Sequence, residues 1–228
     1  EHLALHPACK ELYQLYDQGN LSIIQNVGYP NPNRSHFHST EIWETASEGN
    51  TYNNDGWLGR YFDNSCSGSA GDTVDPAAIH ISDMVPQTYL SEQSHSIFGM
   101  RSRGRFGSKA DPADEAFAKL IEADHIEGNA SYLQHTMMDT LVTERRVEEH
   151  ISKYKPSTKY PGTNIGQSLK RIAALIQANM ETRVYYVSQG GYDTHANQLD
   201  RQAKLLKELS QAMSAFQKDL TQNKKDDQ

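Results

Sequence analysis

The residues of this chain best suited to chemistry lie within 183–198, RVYYVSQGGYDTHANQ. Asp193 and His195 stand two apart, directly after the turn pair Gly190-Gly191. A carboxylate and an imidazole are ordinary ligands for Zn²⁺ and similar ions, and a catalytic zinc takes three protein ligands or more. The β-branched and aromatic run VYYV predicts a strand before the turn, and the apolar spacing beyond it predicts a long helix. The pair would then stand at the carboxyl end of a strand, where open α/β sheets build their sites. Spacing alone favours a plainer role, in which Asp193 or Thr194 caps the helix and His195 sits in its first turn. The two roles are compatible.

A second candidate is Asn33-Arg34-Ser35-His36, which follows the apolar run LSIIQNV. A serine at a helix start lies where backbone N–H groups and the helix dipole favour an anion. A phosphate or sulfate ester could rest there, held by those amides and by Arg34. Ser35 could attack it, its hydroxyl deprotonated by contact with a metal ion. Taken alone, Ser35 reads first as an N-cap. His36 and His38, two apart in a nascent helix, face different directions and are poorly placed to share one metal. His80, within AAIHIS, reads as a hydrogen-bonded core residue, and the remaining histidines read as surface or helix positions. No Gly-rich phosphate loop and no GxSxG elbow is present.

The elements that must position these residues follow from periodicity and punctuation. Helices are expected over 7–19, 35–46, 111–126, 130–154 and 164–179, with a final one after residue 198. In the second of these, Phe37, Ile42 and Ala46 are expected to face inward. Strands are expected over 21–27, 77–82 and 184–187, with a short one near 96–100. Residues 28–34 are dense in turn formers. Residues 47–73 form a polar excursion interrupted by GWLGRYF, an aromatic island expected to anchor it. Strands alternating with helices argue for an α/β fold, a mostly parallel sheet flanked by helices on both faces. At 228 residues the chain reads as a single domain, 1–228.

The composition narrows the function classes. The net charge is −7, which argues against a nucleic-acid partner, since that would call for a basic face. No apolar run reaches the roughly 18 residues of a membrane span. Two cysteines, Cys9 and Cys66, make no disulfide framework and lack zinc spacing, and Cys9 reads as a small buried residue. Hydrophobic residues make up only 36%, low for one closed core.

The stretches LHPACKELYQLYDQGNLSIIQNVGYPNPNRSHFHSTEIWETA, GWLGRYFD, GQSLKRIAALI and VYYVSQGGYDTHANQLDRQAKLLKELS together resemble the DUF1501 family of bacterial proteins. Many of those carry export signals, which implies a periplasmic or secreted location. The family is grouped with the alkaline phosphatase-like superfamily, so the resemblance implies an alkaline phosphatase-like α/β fold and a metal-dependent hydrolase. The substrate would be a small anionic phosphate or sulfate ester. Ser35 would be the nucleophile, Asn33 or Arg34 would contact the oxyanion, and Asp193 and His195 would hold a divalent ion, zinc or manganese, with calcium as an alternative. Family members carry a strand and a glycine- and aspartate-bearing loop before the part matched here. An Asp-His segment follows it. On that comparison the chain is expected to be the central part of the domain, with about half the ligands and little activity alone. The alternative is a non-catalytic binding or export-associated protein that keeps the fold.

Overall fold

Three four-residue strands, β1 (Ala78–Ile81), β2 (Ile97–Met100) and β3 (Val184–Val187), make one sheet in the order β2-β1-β3. Both pairings are parallel, and the register sets Ile79 opposite Phe98 and Tyr185, and Ile81 opposite Met100 and Val187. The computed structural model describes residues 4–65, 75–82, 84–93, 95–101 and 129–226. The expected helix over 111–126 lies outside the described residues, as does Cys66. The described residues form a mixed α/β fold with six α-helices: α1 (Lys10–Asp17), α2 (His36–Thr45), α3 (Trp57–Ser65), α4 (Asn129–Lys153), α5 (Asn164–Gln177) and α6 (Gln198–Gln222). None is long and apolar enough to cross a membrane.

Alternation along the strands divides the core in two. Ile79, Ile81, Phe98 and Met100, with Tyr185 and Val187, meet Val147 of α4, Ile165, Leu169 and Ile172 of α5, and Ala212 and Ala215 of α6. On the opposite face Ala78, Ile97, Val184 and Tyr186 meet Leu58 and Phe62 of α3 and Tyr89 of the 3-10 turn Gln87–Tyr89. A strand buried on both faces must be apolar at successive positions, and β1 is buried along its whole length. His80 is the polar exception. Burial lowers its pKa, and its Nδ1 lies 2.7 Å from the Ser82 hydroxyl. It is the hydrogen-bonded core histidine that the sequence predicts.

The short helix α3 is the GWLGRYF island. Gly59 lets it lie directly against the loop that leads out of the 3-10 turn: a Cβ there would overlap the Leu90 carbonyl oxygen. The helix α1 hooks onto α6 through one buried serine. Ser210 Oγ accepts from the Glu11 and Leu12 amides (both 3.0 Å) and donates to the Glu11 carboxylate at 2.8 Å. Cys9, at the entry to α1, is buried.

Two expectations are overturned. Residues 21–27 form no strand, and Ile24 and Val27 are exposed. β-Propensity expresses itself only beside a neighbouring strand, and the described residues offer this segment none. In α2, Phe37 and Ala46 face solvent and only Ile42 turns inward, with Thr45 beside it. The helix has a weak apolar stripe, so its orientation is set by polar contacts.

Candidate metal centre

The helix α2 begins where its capping chemistry dictates. Ser35 is the N-cap, in extended backbone, with its Oγ accepting from the His38 amide at 3.5 Å. Asn33 Oδ1 accepts from the Ser35 amide at 2.7 Å. A closed cycle holds the preceding loop: Ser39 Oγ donates to the Asn33 carbonyl at 2.8 Å, and the Asn33 amide donates to Tyr29 Oη at 2.9 Å. The Tyr29 hydroxyl therefore donates to Ser39 Oγ, at 2.9 Å. Asn33, Arg34, Ser35 and His36 all lie exposed at the helix start.

The second arm is the loop between β3 and α6. Gly191, at φ +96°, supplies the turn. Tyr192 Oη donates to Gln189 Oε1 at 2.9 Å, and Gln189 Nε2 donates to the Leu205 carbonyl at 3.3 Å, which braces the loop on α6. Thr194 is buried while Asp193 and His195 project to solvent. His195 sits in the left-handed region, φ +38°, spanned by a bond from the Ala196 amide to the Thr194 carbonyl. A non-glycine residue held there costs free energy, and such positions concentrate at functional sites.

The cap expected of this loop does not form. The N-cap of α6 is Asn197, itself left-handed and without a side-chain cap bond. Asp193 and Thr194 are too far upstream to cap the helix. The Asp193 carboxylate instead meets two imidazoles: His195 Nε2 lies 2.8 Å and His36 Nε2 3.5 Å from its Oδ2. One ligand atom from each of the three residues lies within 4.8 Å of the others.

This triad fits a divalent ion. Ligand atoms around a tetrahedral zinc with bonds of about 2.0–2.1 Å stand about 3.3 Å apart, between the 2.8 Å and 3.5 Å that separate the two imidazoles from Asp193 Oδ2. Two imidazoles and a carboxylate also make up the minimum protein set of a catalytic zinc, leaving a position for water or substrate. All three side chains are more than half exposed.

His36 was missing from the sequence-derived ligand set, where it was weighed only against His38. The structure separates those two as expected. His38 turns away, its Nε2 3.1 Å from the Gly49 carbonyl and its Nδ1 3.4 Å from Glu41. The available signal was that His36 adjoins Ser35 at the start of the same helix. Ser35 thus stands next in sequence to a member of the triad, with Arg34 and Asn33 on the same turn.

The family model described as "Protein of unknown function (DUF1501)" matches residues 20–226. The chain belongs to the DUF1501 family. The DUF1501 match takes in both arms of the site, the start of α2 and the β3–α6 loop. No curated protein and no solved structure matches the chain.

Proposed function

We propose that this DUF1501 chain holds a divalent metal ion on His36, Asp193 and His195 and uses it to hydrolyse a phosphate or sulfate ester. The observation that carries the reading is the convergence of an imidazole from the start of α2 with a carboxylate and an imidazole from the β3–α6 loop. Two nitrogen donors in a set of three suit zinc best, manganese next, and calcium, which takes oxygen ligands, least. Bound there, such an ion supplies Lewis-acid polarisation and lowers the pKa of an adjacent hydroxyl or water.

The chain's own residues supply the rest. Ser35 Oγ would give its proton to solvent water and attack the phosphorus or sulfur, forming the new O–P or O–S bond. The ester bond breaks with its electron pair going to the leaving oxygen, which takes a proton from water. Water then hydrolyses the seryl ester, restoring Ser35 and releasing the inorganic anion. The Arg34 guanidinium and the Asn33 side-chain amide would hold the anion, together with backbone N–H groups at the α2 start. A periplasmic or secreted setting, and an alkaline phosphatase-like architecture, are part of the same proposal and rest on the resemblance.

The exposure of the triad favours a second reading, a binding protein that takes the metal loosely and turns nothing over. A three-ligand site open to water gains little from a low dielectric. Two variants of the full chain separate the readings. With Asp193→Ala, equilibrium dialysis against Zn²⁺ or Mn²⁺ should show binding weakened at least tenfold. Ser35→Ala should keep the metal and lose hydrolysis of aryl phosphates and sulfates. Hydrolysis at the wild-type level by Ser35→Ala would remove Ser35 from the chemistry. Metal binding with no turnover at all by the wild type, not even the low level expected of this chain alone, would favour the binding protein.

A further inference from the structure

A cavity of about 530 Å³ opens at the start of the loop that carries Asp193 and His195, and the proposed chemistry does not use it. Its walls are the carboxyl ends of β1 (Ile81, Ser82) and β3 (Ser188, Gln189, Gly190), the start of α5 and the Lys204–Glu208 stretch of α6. Its place in the topology is informative. The chain leaves β1 for β2 on one side, then crosses over β1 to lay β3 on the other. The crevice between the carboxyl ends of β1 and β3 is therefore the topological switch point, where open α/β sheets bind ligands. Gly190 lies in the cavity wall and Asp193 is three residues further on, so their Cα atoms are at most about 11 Å apart. This part of the cavity wall and the Asp193–His195 pair thus belong to one short loop.

The lining chooses the ligand's chemistry. The two charges it presents, Lys204 and Glu208, face each other at 4.0 Å, so a strongly charged ligand body gains nothing there. A carboxylate beside an ammonium instead offers an acceptor and a donor to neighbouring hydroxyl groups. Ser188 and Thr163 add hydroxyls, and Leu205 gives a small C–H surface with the buried Ile81 and Ile165 behind it. Two polar side chains are fixed in advance. Gln189 is tied at both ends, and Ser82 Oγ donates to the Met84 carbonyl at 2.6 Å with the His80 ring nitrogen at 2.7 Å. A mainly polar wall of hydroxyls, amide and a paired charge, with little apolar surface, matches an uncharged polyhydroxyl group.

We infer that this cavity binds a monosaccharide- or polyol-sized group, the alcohol part of the ester whose anionic end lies at Ser35 and the triad. The assignment as a substrate subsite rests on the proposed function; binding of the polyhydroxyl group itself does not. The probes are free D-glucose, D-galactose and myo-inositol, added to the full chain and read by saturation-transfer NMR. Phenol serves as a hydroxyl-poor control, and Mn²⁺ binding is followed separately by electron paramagnetic resonance. At least one polyol should bind in the millimolar range, and phenol should not. Ser188→Trp, which fills the cavity, should abolish the signal, and the smaller change Glu208→Gln should weaken it about tenfold. Both variants should keep Mn²⁺, and Asp193→Ala should lose Mn²⁺ yet keep the polyol. Absence of binding by every polyol, or binding unchanged by both cavity variants, overturns the inference and leaves the metal reading untouched. Polyol binding without Mn²⁺ binding overturns the metal reading alone.

Discussion

Asp219 is a carboxylate with no solvent contact, and its surroundings are built to donate to it. Tyr154 Oη (2.6 Å), Tyr160 Oη (2.7 Å), Ser157 Oγ (2.6 Å) and the Ser157 amide (2.9 Å) all converge on its two oxygens. Burial pushes its pKa up, but the bonds from Ser157, Tyr154 and Tyr160 outweigh that and hold the carboxyl below its ordinary value. Its folded pKa is thus below its unfolded one, near 3.9. The stabilisation is complete above that unfolded value and is lost as pH falls through the folded one. Replacing Asp219 with Ala leaves buried hydroxyls without an acceptor, at a cost of about 3 kcal/mol in chemical denaturation at pH 7. The difference from wild type should shrink below about pH 4; a constant difference across that range would show that the anion is not what stabilises the fold. This acid was not legible in the sequence. The apolar stripe of α6 points to Leu206, Leu209 and Met213, whereas the wholly buried positions are small or polar, Ser210, Ala212, Ser214 and Asp219 among them. Periodicity finds a helix and its face, but not a residue whose burial depends on partners 59 to 65 places away.

At the scale of elements, the strands β1, β2 and β3 and helix α5 were legible because each carries its own signal. VYYV and AIHI are β-branched or aromatic and bounded by turns, and α5 repeats Ile165, Leu169, Ile172 and Ile176 at helical spacing. Residues 21–27 carry the same strand signal and form no strand, because pairing is a property of two segments. The reverse holds for α3, where two glycines near its start hid a helix inside a polar stretch. Gly59 is there for close approach, and Gly59→Ala should cost about 2 kcal/mol, a fall of roughly 4–8 °C in Tm. A thermal melt within a degree of wild type would mean that α3 is free to lift from the 3-10 turn. Metal binding should survive this change, since α3 meets α2 at its far end, through Arg60 and the Thr45 carbonyl, and not at His36.

Across the whole molecule, the site depends on two arms that the chain brings together from opposite ends of the family match. Asp193 and His195 were visible as a pair because they share one loop. His36 was not, because nothing within α2 announces that the β3–α6 loop will face it. The parallel pairing of the three strands places every carboxyl end on one edge of the sheet. The cavity and the metal-ligand loop therefore lie side by side, on the one edge where the backbone of β1 and β3 ends. The most direct measurement is Zn²⁺ titration of the full chain with and without His36→Ala, read as stoichiometry and dissociation constant. His36 is the member of the proposed site that the folded arrangement brings in and that local sequence does not. One ion per chain is expected in the wild type, with affinity at least tenfold weaker in His36→Ala and secondary structure unchanged. Equal affinity in the two proteins would contradict a centre shared between α2 and the β3–α6 loop.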